Sequence, residues 1–255
     1  MRATATRLPM RAPPRVGTDV VAPSAAPKCA PPRSLSELVA RAHALEGRTL
    51  IELETWLAAD RSAPMRHRKG KTGQLVERAL GASAGSLSSP DFVGLGVELK
   101  TIPVDALGRP RESTFVCSLS VADAEHAEWA SSSVRGKLAH VLFVPVVYPD
   151  ATRNDRGASL GTPLFWQPTA AQESVLRADF DDLMGLIALG GIEALTAKLG
   201  HWLQVRPKAA HGGVRTRAYG PDGEYLETIP RGFYLRARFT GALLRDPRAL
   251  PGVET

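Results

Sequence analysis

The sequence predicts an α/β or α+β fold, with helices first and then a mixed sheet flanked by further helices. Amphipathic patterns with helical spacing dominate residues 34–80. Runs rich in β-branched residues begin at Val97 and recur through the rest of the chain, separated by helical segments. With 255 residues, the chain can bury a substantial core, either as one large domain or as two lobes.

Helical signals begin the predicted domain. Ser34 and Glu37 have the spacing of a capping box, which predicts a helix from there to about Leu45. The spacing of apolar residues predicts further helices over residues 49–59, 74–80, 132–140, 171–189 and 192–199. The longest of these should turn five apolar side chains toward the core, namely Val175, Leu176, Leu183, Leu186 and Ile187.

Strand signals follow the first helices. Enrichment in β-branched and aromatic residues predicts strands over residues 97–104, 113–121, 141–148, 201–206 and 225–229. The segment 233–238 fits either a strand or a helix. The small residues at 81–86 suit a hinge between two lobes or the close approach of a ligand backbone.

The net charge of +6 is concentrated in residues 1–34. This segment holds six basic residues, one acidic residue and seven prolines, so we expect a disordered arm. Such an arm could be a dispensable extension or the result of a start codon assigned too early. We expect the folded domain over residues 35–245 and a flexible tail over 246–255. Because that domain is nearly neutral, nucleic-acid binding would need a local basic patch.

Several protein classes find no support in the sequence. The two cysteines, Cys29 and Cys117, have neither a CxxC nor a zinc-site spacing, which favours a reducing, cytoplasmic compartment. No apolar run reaches the length of about 18 residues that would indicate a membrane span. No HExxH, Walker or GxSxG motif occurs, so zinc proteases, ATPases and serine hydrolases are not indicated. Cys117 lies in an apolar run and is expected in the core.

The most specific functional signal is Asp91, followed by Glu98 and Lys100 on one predicted strand. Side chains two apart on a strand share a face, so the Glu98 carboxylate and the Lys100 ammonium could act on one phosphate together with a divalent metal. Asp91 reaches the same place only if the chain bends, and Gly94 and Gly96 permit a bend. Taken alone, this spacing also occurs by chance on half-exposed strands.

Two further charged residues and one basic run could belong to the same site. Glu77 offers a third acid upstream and Lys137 a second amine downstream, although either alone would by default be a surface residue. The basic run at residues 66–71 could be a solvated loop or could contact phosphate.

Cations and aromatic rings also recur near predicted turns in the last quarter of the chain. They include Arg206, Pro207 and Lys208, and the run from Arg231 to Tyr234. Arginine can read guanine in the major groove, whereas lysine chiefly neutralises phosphate. Composition alone favours solvent-exposed strand ends for both groups.

A series of short motifs follows in a consistent order and spacing. It comprises residues 81–86, Asp91-Phe92, 95–105, 107–110, 114–117, Val134-Arg135, Lys137-Leu138, 229–235 and Phe239-Thr240. Over about residues 35–245, this series resembles the MutH family, the strand-nicking endonucleases of bacterial mismatch repair. The arm and the tail fall outside the resemblance.

The resemblance implies a restriction-endonuclease-like fold with two lobes around a DNA cleft. It implies Mg²⁺-dependent nicking of the unmethylated strand of double-stranded DNA at hemimethylated GATC, 5′ to the guanine, with Mn²⁺ as a substitute metal. MutL would activate the enzyme after MutS detects a mismatch. A cytoplasmic, monomeric bacterial protein with no membrane association is expected.

By position, the resemblance assigns Asp91 and Glu98 as the metal-binding carboxylates, with the Leu99 carbonyl as a further ligand. Lys100 would orient the attacking water or help to deprotonate it, and Glu77 and Lys137 would complete the catalytic set. The residues expected to contact DNA are Lys69, Arg206, Pro207, Lys208 and Tyr234. Phe115 is a candidate for contacting a base step, although a core position is favoured for this aromatic residue.

Two other functions remain open from the sequence. A type II restriction endonuclease of the same fold would cut both strands at GATC regardless of methylation. A non-catalytic DNA-binding module of that fold would bind GATC without cleavage, and the intact set of Asp91, Glu98 and Lys100 argues against this alternative.

Overall fold

The computed structural model describes residues 30–58, 70–84, 89–121, 124–150, 155–208 and 213–252, and the predicted α/β class is confirmed. The helices are α1 Leu35–Ala44, α2 Leu50–Ala58, α3 Lys71–Leu80, α4 Ser133–Leu138, α5 Ala170–Ala188 and α6 Ala237–Arg245. The strands are β1 Glu98–Val104, β2 Thr114–Ser118, β3 Val141–Val147, β4 Ser159–Leu160, β5 Leu164–Trp166, β6 Leu203–Pro207, β7 Thr216–Tyr219, β8 Tyr225–Thr228 and β9 Arg231–Leu235.

Helix α1 begins at the predicted cap. The Ser34 hydroxyl accepts a hydrogen bond from the Glu37 backbone N–H at 3.1 Å, which satisfies one of the free donors of the first turn. The Glu37 carboxylate does not complete a capping box, because it accepts the N–H of Arg33 at 2.8 Å instead.

The main sheet is built around β3. Strand β1 pairs with β3 in parallel, from Glu98 opposite Val141 to Val104 opposite Val147. Strands β4 and β5 run antiparallel along the other edge of β3, and the Gly161 N–H donates to the Pro145 carbonyl between them. Strand β1 therefore has one edge that no other strand of this sheet covers within the described residues.

The alternating side chains of β1 and β3 divide the apolar interior into two clusters. On one face, Ile102 and Phe143 pack with α5 and the second sheet. On the other face, Leu99 and Leu142 pack with α1, α2 and α3. Because Glu98 and Lys100 have even numbers, like Ile102, they lie on the face of β1 that turns toward the second sheet.

The second sheet is antiparallel, in the order β2-β9-β6. The β7–β8 hairpin is inserted in the chain between β6 and β9, with Arg217 opposite Glu227 and Tyr219 opposite Tyr225. Helix α5 supplies Leu176, Leu183 and Ile187 to the core as predicted, whereas Val175 and Leu186 are only partly buried.

One predicted helix is mostly absent, and one segment of ambiguous type has a mixed structure. The predicted helix over 192–199 is only a 3-10 turn at Ile192–Ala194. The Thr196 hydroxyl and carbonyl accept the N–H groups of Lys198 and Leu199, so a local turn replaces the helical bonds. The ambiguous segment 233–238 contains the end of β9 and the start of α6. This explains why neither the strand nor the helix pattern of apolar residues fitted the whole segment.

Residues 246–252, which were predicted as part of a flexible tail, contact the domain. The Gln172 side-chain amide donates to the carbonyls of Pro247 and Ala249, and the Trp202 indole N–H donates to the carbonyl of Pro251. Residues 1–29 of the predicted arm and residues 253–255 lie outside the described residues. None of the helices in the described part of the chain is long and apolar enough to cross a membrane.

A buried carboxylate anchors the start of β6. Asp179 on α5 is only 2 % exposed and accepts the backbone N–H groups of His201, Trp202 and Leu203 at 2.6, 2.7 and 2.8 Å. A charge at this depth is stable only when its oxygens are fully hydrogen-bonded. Asp179 therefore fixes the segment that leads into Arg206 and Lys208.

Replacing Asp179 by alanine should strongly destabilise the protein, because three backbone N–H groups, two of them buried, lose their acceptor. We expect Asp179→Ala to lower the free energy of unfolding by about 3–5 kcal/mol. Asp181→Ala, which removes a carboxylate exposed on the same helix, should change it by about 0.5 kcal/mol or less. Urea unfolding followed by circular dichroism measures both, and equal stabilities of the two variants would contradict the anchoring role.

Candidate active site and nucleic-acid interface

A tight turn brings Asp91 to the beginning of β1, as the predicted bend requires. The Phe92 N–H donates to the Val97 carbonyl at 2.9 Å, and a 3-10 turn at Val93–Leu95 lies between them. Gly96 closes this turn with φ +65°, a left-handed conformation that favours glycine. As a result, one Asp91 carboxylate oxygen accepts the Leu99 N–H at 2.8 Å.

Two lysines converge on the Glu98 carboxylate, which is only 4 % exposed. The Lys100 ammonium donates to Oε1 at 2.7 Å from the same face of β1. The Lys137 ammonium, from α4, donates to Oε2 at 2.8 Å and to the Ser89 carbonyl at 2.8 Å. These two contacts compensate the charge of a carboxylate that has been removed from water.

The surroundings of Asp91 and Glu77 destabilise the charged forms of these two acids. Burial and then the charge of Glu98 raise the pKa of Asp91, against the opposing effect of the Leu99 N–H. Burial, followed by the charges of Asp91 and Glu98, raises the pKa of Glu77 to about 7. The structure thus brings together the five residues of the catalytic set that the resemblance implies, namely Glu77, Asp91, Glu98, Lys100 and Lys137.

The available metal donors are oxygen atoms. Among the residues that the structure describes, no three Asp, Glu, His or Cys side chains converge on a point that could hold one ion. Asp91 and Glu98 remain as a carboxylate pair. The N–H and C=O of a strand residue point to the same edge, so the Leu99 carbonyl lies on the edge of β1 that faces Asp91. Such a set of hard oxygen donors suits Mg²⁺ or Mn²⁺.

A second cluster, which we call the aromatic–cation face, lies on the antiparallel sheet. It consists of Phe115, Arg206, Lys208 and Tyr234. The rings of Phe115 and Tyr234 meet edge to face at 5.3 Å, with the Arg206 guanidinium 5.8 Å from the Tyr234 ring centre. The Lys208 ammonium lies 2.9 Å from the centre of the Phe115 ring. This cluster offers exposed cations and ring edges to an anionic, stacked polymer.

The two clusters adjoin each other through Phe115. Its ring centre is 5.9 Å from the Lys100 ammonium, so one aromatic side chain contacts cations of both groups. The expectation that Phe115 is a core residue is therefore wrong, because it is half-buried and faces cations.

The other residues expected to contact DNA are only partly described. Pro207 is exposed at the end of β6. Lys69 and the basic run before it lie outside the described residues, whereas Lys71 pairs with Glu54 at 2.8 Å.

Sequence reasoning missed two positions that shape the site. A side chain at Gly232 would bring its Cβ to 2.8 Å from the Phe115 ring, so glycine is required for this ring to lie against β9. The Ser89 carbonyl fixes the Lys137 ammonium, and backbone acceptors leave no signal in a sequence. Cys117, which was expected in the core, is half-buried and packs against the core, and burial raises the pKa of its thiol to about 11.

The raised pKa of Glu77 has a consequence for stability without metal. The folded-state pKa of Glu77 is about 7, above the ordinary value of 4.5. The stability that the protonated carboxyl group contributes to the fold is therefore fully present below pH 4.5 and is lost as the pH rises through 7. In EDTA, Glu77→Gln should therefore be more stable than the wild type at pH 8, by about 2 kcal/mol. The two proteins should converge near pH 4.5.

Glu52→Gln provides a control of opposite sign for the same urea titrations. The N–H and hydroxyl of Thr49 lower the pKa of Glu52, so this variant should be less stable than the wild type at pH 8, and the difference should vanish as the pH falls. A Glu77→Gln protein with an unchanged pH profile would contradict the buried, like-charged environment of Glu77.

Comparison with known proteins identifies the family. The family model described as DNA mismatch repair enzyme MutH matches residues 80–179. A DNA mismatch repair protein MutH of Klebsiella pneumoniae (strain 342) is 46% identical over 226 residues, covering 87% of this chain and 96% of that protein. That of Escherichia coli (strain K12 / DH10B) is 45% identical over 222 residues, covering 86% and 95%. That of Serratia proteamaculans (strain 568) is 46% identical over 218 residues, covering 84% and 93%. The chain belongs to the MutH family.

Proposed function

We propose that this protein nicks the unmethylated strand of DNA at hemimethylated GATC sites, 5′ to the guanine, in a reaction that depends on Mg²⁺. Its place in the MutH family, which has a restriction-endonuclease-like fold, supports a DNA repair nuclease. The observation that carries the proposal is that Phe115 of the aromatic–cation face lies beside Lys100 of the catalytic cluster of acids and lysines. A DNA duplex read by the aromatic–cation face would present a phosphodiester to that cluster.

The residues present fit a divalent cation. Burial and the charge of Glu98 raise the pKa of Asp91, and a cation held by both carboxylates and the Leu99 carbonyl would relieve the repulsion between the two acids. When bound, Mg²⁺ supplies Lewis-acid stabilisation of the phosphate charge and lowers the pKa of a coordinated water. Because the cation would take over the Glu98 oxygens, the ammonium groups of Lys100 and Lys137 would be free to face the substrate.

The lysines provide the remaining electrostatic chemistry. Lys100 shares a strand face with Glu98 and would orient the attacking water and stabilise charge on the phosphate during transfer. Lys137 would hold a second phosphate oxygen while the Ser89 carbonyl fixes its direction. Glu77 lies in the field of Asp91 and Glu98 and would accept or return a proton at the edge of the site. The products would be a 5′-phosphate and a 3′-hydroxyl.

Base reading is proposed for the aromatic–cation face. The Arg206 guanidinium can bond guanine bidentately, and Lys208 can neutralise the backbone phosphate. Phe115 and Tyr234 offer ring edges that could lie against a base step. A methyl group on the adenine N6 removes one major-groove donor and adds bulk, so a closely fitting wall here would discriminate the methylated strand.

The expected partners follow from the same proposal. MutL would stimulate nicking after mismatch recognition by MutS, and Lys69 would contribute a phosphate contact from the basic run. A single catalytic site in each chain suits a monomer that cuts one strand. A cytoplasmic location is proposed because the relatives of this chain are bacterial DNA repair proteins.

The direct experiment uses a plasmid with one hemimethylated GATC, in Mg²⁺, with and without MutL and ATP. Asp91→Ala and Glu98→Ala should each lower the nicking rate by at least about 10²–10³-fold while leaving GATC binding intact. Asp181→Ala is the control and should nick like the wild type. EDTA should abolish nicking, and added Mg²⁺ or Mn²⁺ should restore it.

The outcomes separate the competing functions. Full activity of either active-site variant would refute the assignment of that carboxylate. Cleavage of both strands regardless of methylation would indicate a restriction enzyme, and GATC binding without any cleavage would indicate a binding module.

A second prediction concerns base reading. Arg206→Ala should weaken binding of a GATC duplex by about 5–150-fold, and should bind a duplex with the guanine replaced almost as well as GATC itself. Arg217→Ala, on the exposed strand β7, is the control. Fluorescence anisotropy at fixed salt measures both, and an Arg206→Ala protein that retains the full preference for guanine would exclude direct readout.

A further inference from the structure

A largely buried arginine pairs with a carboxylate at the start of β9, outside the catalytic cluster. The Arg231 side chain is only 8% exposed, and one of its terminal nitrogens donates to a Glu193 oxygen at 3.2 Å. The Thr228 hydroxyl, at the end of β8, donates to the other Glu193 oxygen and lies 3.5 Å from the same Arg231 nitrogen. We call Glu193, Thr228 and Arg231 the β9 anchor.

The β9 anchor and the base-reading side chains lie on opposite faces of the strand. Successive side chains alternate across a strand, so Arg231 shares a face with Phe233 and Leu235, which belong to the core. Tyr234 lies on the other face, where the Arg206 guanidinium is 5.8 Å from its ring centre. The anchor therefore holds β9 from the side away from the surface proposed to read DNA.

Strand β9 is the central strand of its sheet, and its first residues hold both neighbouring strands. On one side, the Lys208 N–H donates to the Pro230 carbonyl at 2.6 Å, and Pro207 pairs with Arg231. On the other side, the Leu119 N–H donates to the Arg231 carbonyl at 3.0 Å. A shift at the start of β9 would therefore move the segment that carries Lys208 relative to β2.

Burial makes the position of Arg231 depend on Glu193. The Arg231 Nε is buried and has no hydrogen-bond partner among the described residues, and a buried cation is costly unless it is paired. The Thr228 hydroxyl and the charge of Arg231 lower the pKa of Glu193, so its carboxylate is ionised at neutral pH. An arrangement of this kind adds little net stability but can fix the position of a strand.

We propose that Glu193 and Thr228 are positioning residues for base recognition, which act through Arg231. The inference rests on the proposed function, in which Arg206 reads guanine. Without its carboxylate partner, the Arg231 guanidinium would turn toward water and draw the start of β9 with it. Bidentate bonds to guanine would then lose their geometry, whereas contacts with phosphate, which tolerate displacement, would persist.

The test measures the preference of the full-length protein for guanine by fluorescence anisotropy at fixed salt. This preference is the Kd for a duplex with the guanine replaced, divided by the Kd for the GATC duplex. Thr228→Val keeps the side-chain shape but removes the hydroxyl, and Glu193→Ala removes the carboxylate. Each should lower the preference by at least about fivefold, the lower end of what one bidentate guanine contact contributes. Thr228→Ser restores the hydroxyl and should return the preference to within about twofold of the wild type.

A loss of stability alone would not produce this result. Partial unfolding lowers the fraction of binding-competent protein equally for both duplexes, so the ratio of the two Kd values stays the same. Thr49→Val is the matched control, because the Thr49 hydroxyl also donates to a glutamate, Glu52, at 2.9 Å, and accepts the Glu52 N–H at the beginning of α2. This variant should lose stability but keep the wild-type preference. Glu193 is 64% exposed, so Glu193→Ala should remain folded, which urea unfolding verifies.

The possible failures are distinguishable. An undiminished preference in both Thr228→Val and Glu193→Ala would overturn the positioning role and leave base reading intact. A wild type without any preference for guanine would overturn the proposed base reading and the β9 anchor together. A loss of preference in Thr49→Val as large as that in Thr228→Val would assign the effect to stability and also reject the proposal.

Discussion

The crowding of like charge at the beginning of β1 is the constraint on which the rest of the site depends. Asp91 and Glu98 are both largely removed from water, and Glu77 lies within their field. Without compensation, buried carboxylates would take up protons or unfold the region. The two ammonium groups on Glu98 and the Leu99 N–H on Asp91 supply that compensation. Three separate segments of chain must therefore meet at this point for the fold to be stable.

The parallel pairing of β1 and β3 makes this meeting possible. A parallel pair requires a long connection, and here that connection contains β2 and α4, which supply Phe115 and Lys137. The two faces of the pair then have separate tasks. One buries Leu99 against α1, α2 and α3, the last of which carries Glu77, and the other carries Glu98 and Lys100 toward the antiparallel sheet. Catalytic geometry is thus a direct consequence of strand alternation.

Much of the fold and the site could be predicted from local patterns. The cap at Ser34, the bend at Gly96 and the shared face of Glu98 and Lys100 all follow from spacing within a few residues. The two predictions that differ most have different causes, one local and one distant. The 192–199 segment has a helical composition, but turn bonds around Thr196 replace the helix. The position of Phe115 is set by Gly232, which lies over a hundred residues away in sequence, so no local pattern could show it.

The position of Phe115 also offers a physical route by which the proposed base reading could be coupled to the proposed cleavage. Its ring centre lies 2.9 Å from the Lys208 ammonium and 5.9 Å from the Lys100 ammonium, so a base or sugar that displaced the first would change the surroundings of the second as well. Lys100 is itself hydrogen-bonded to Glu98, whose two oxygens are both occupied by lysines when no metal is bound. A rearrangement at the aromatic–cation face would thereby reach Glu98, the carboxylate proposed to bind the cation. Discrimination of the site could therefore act on the assembly of the catalytic centre as well as on the affinity for DNA.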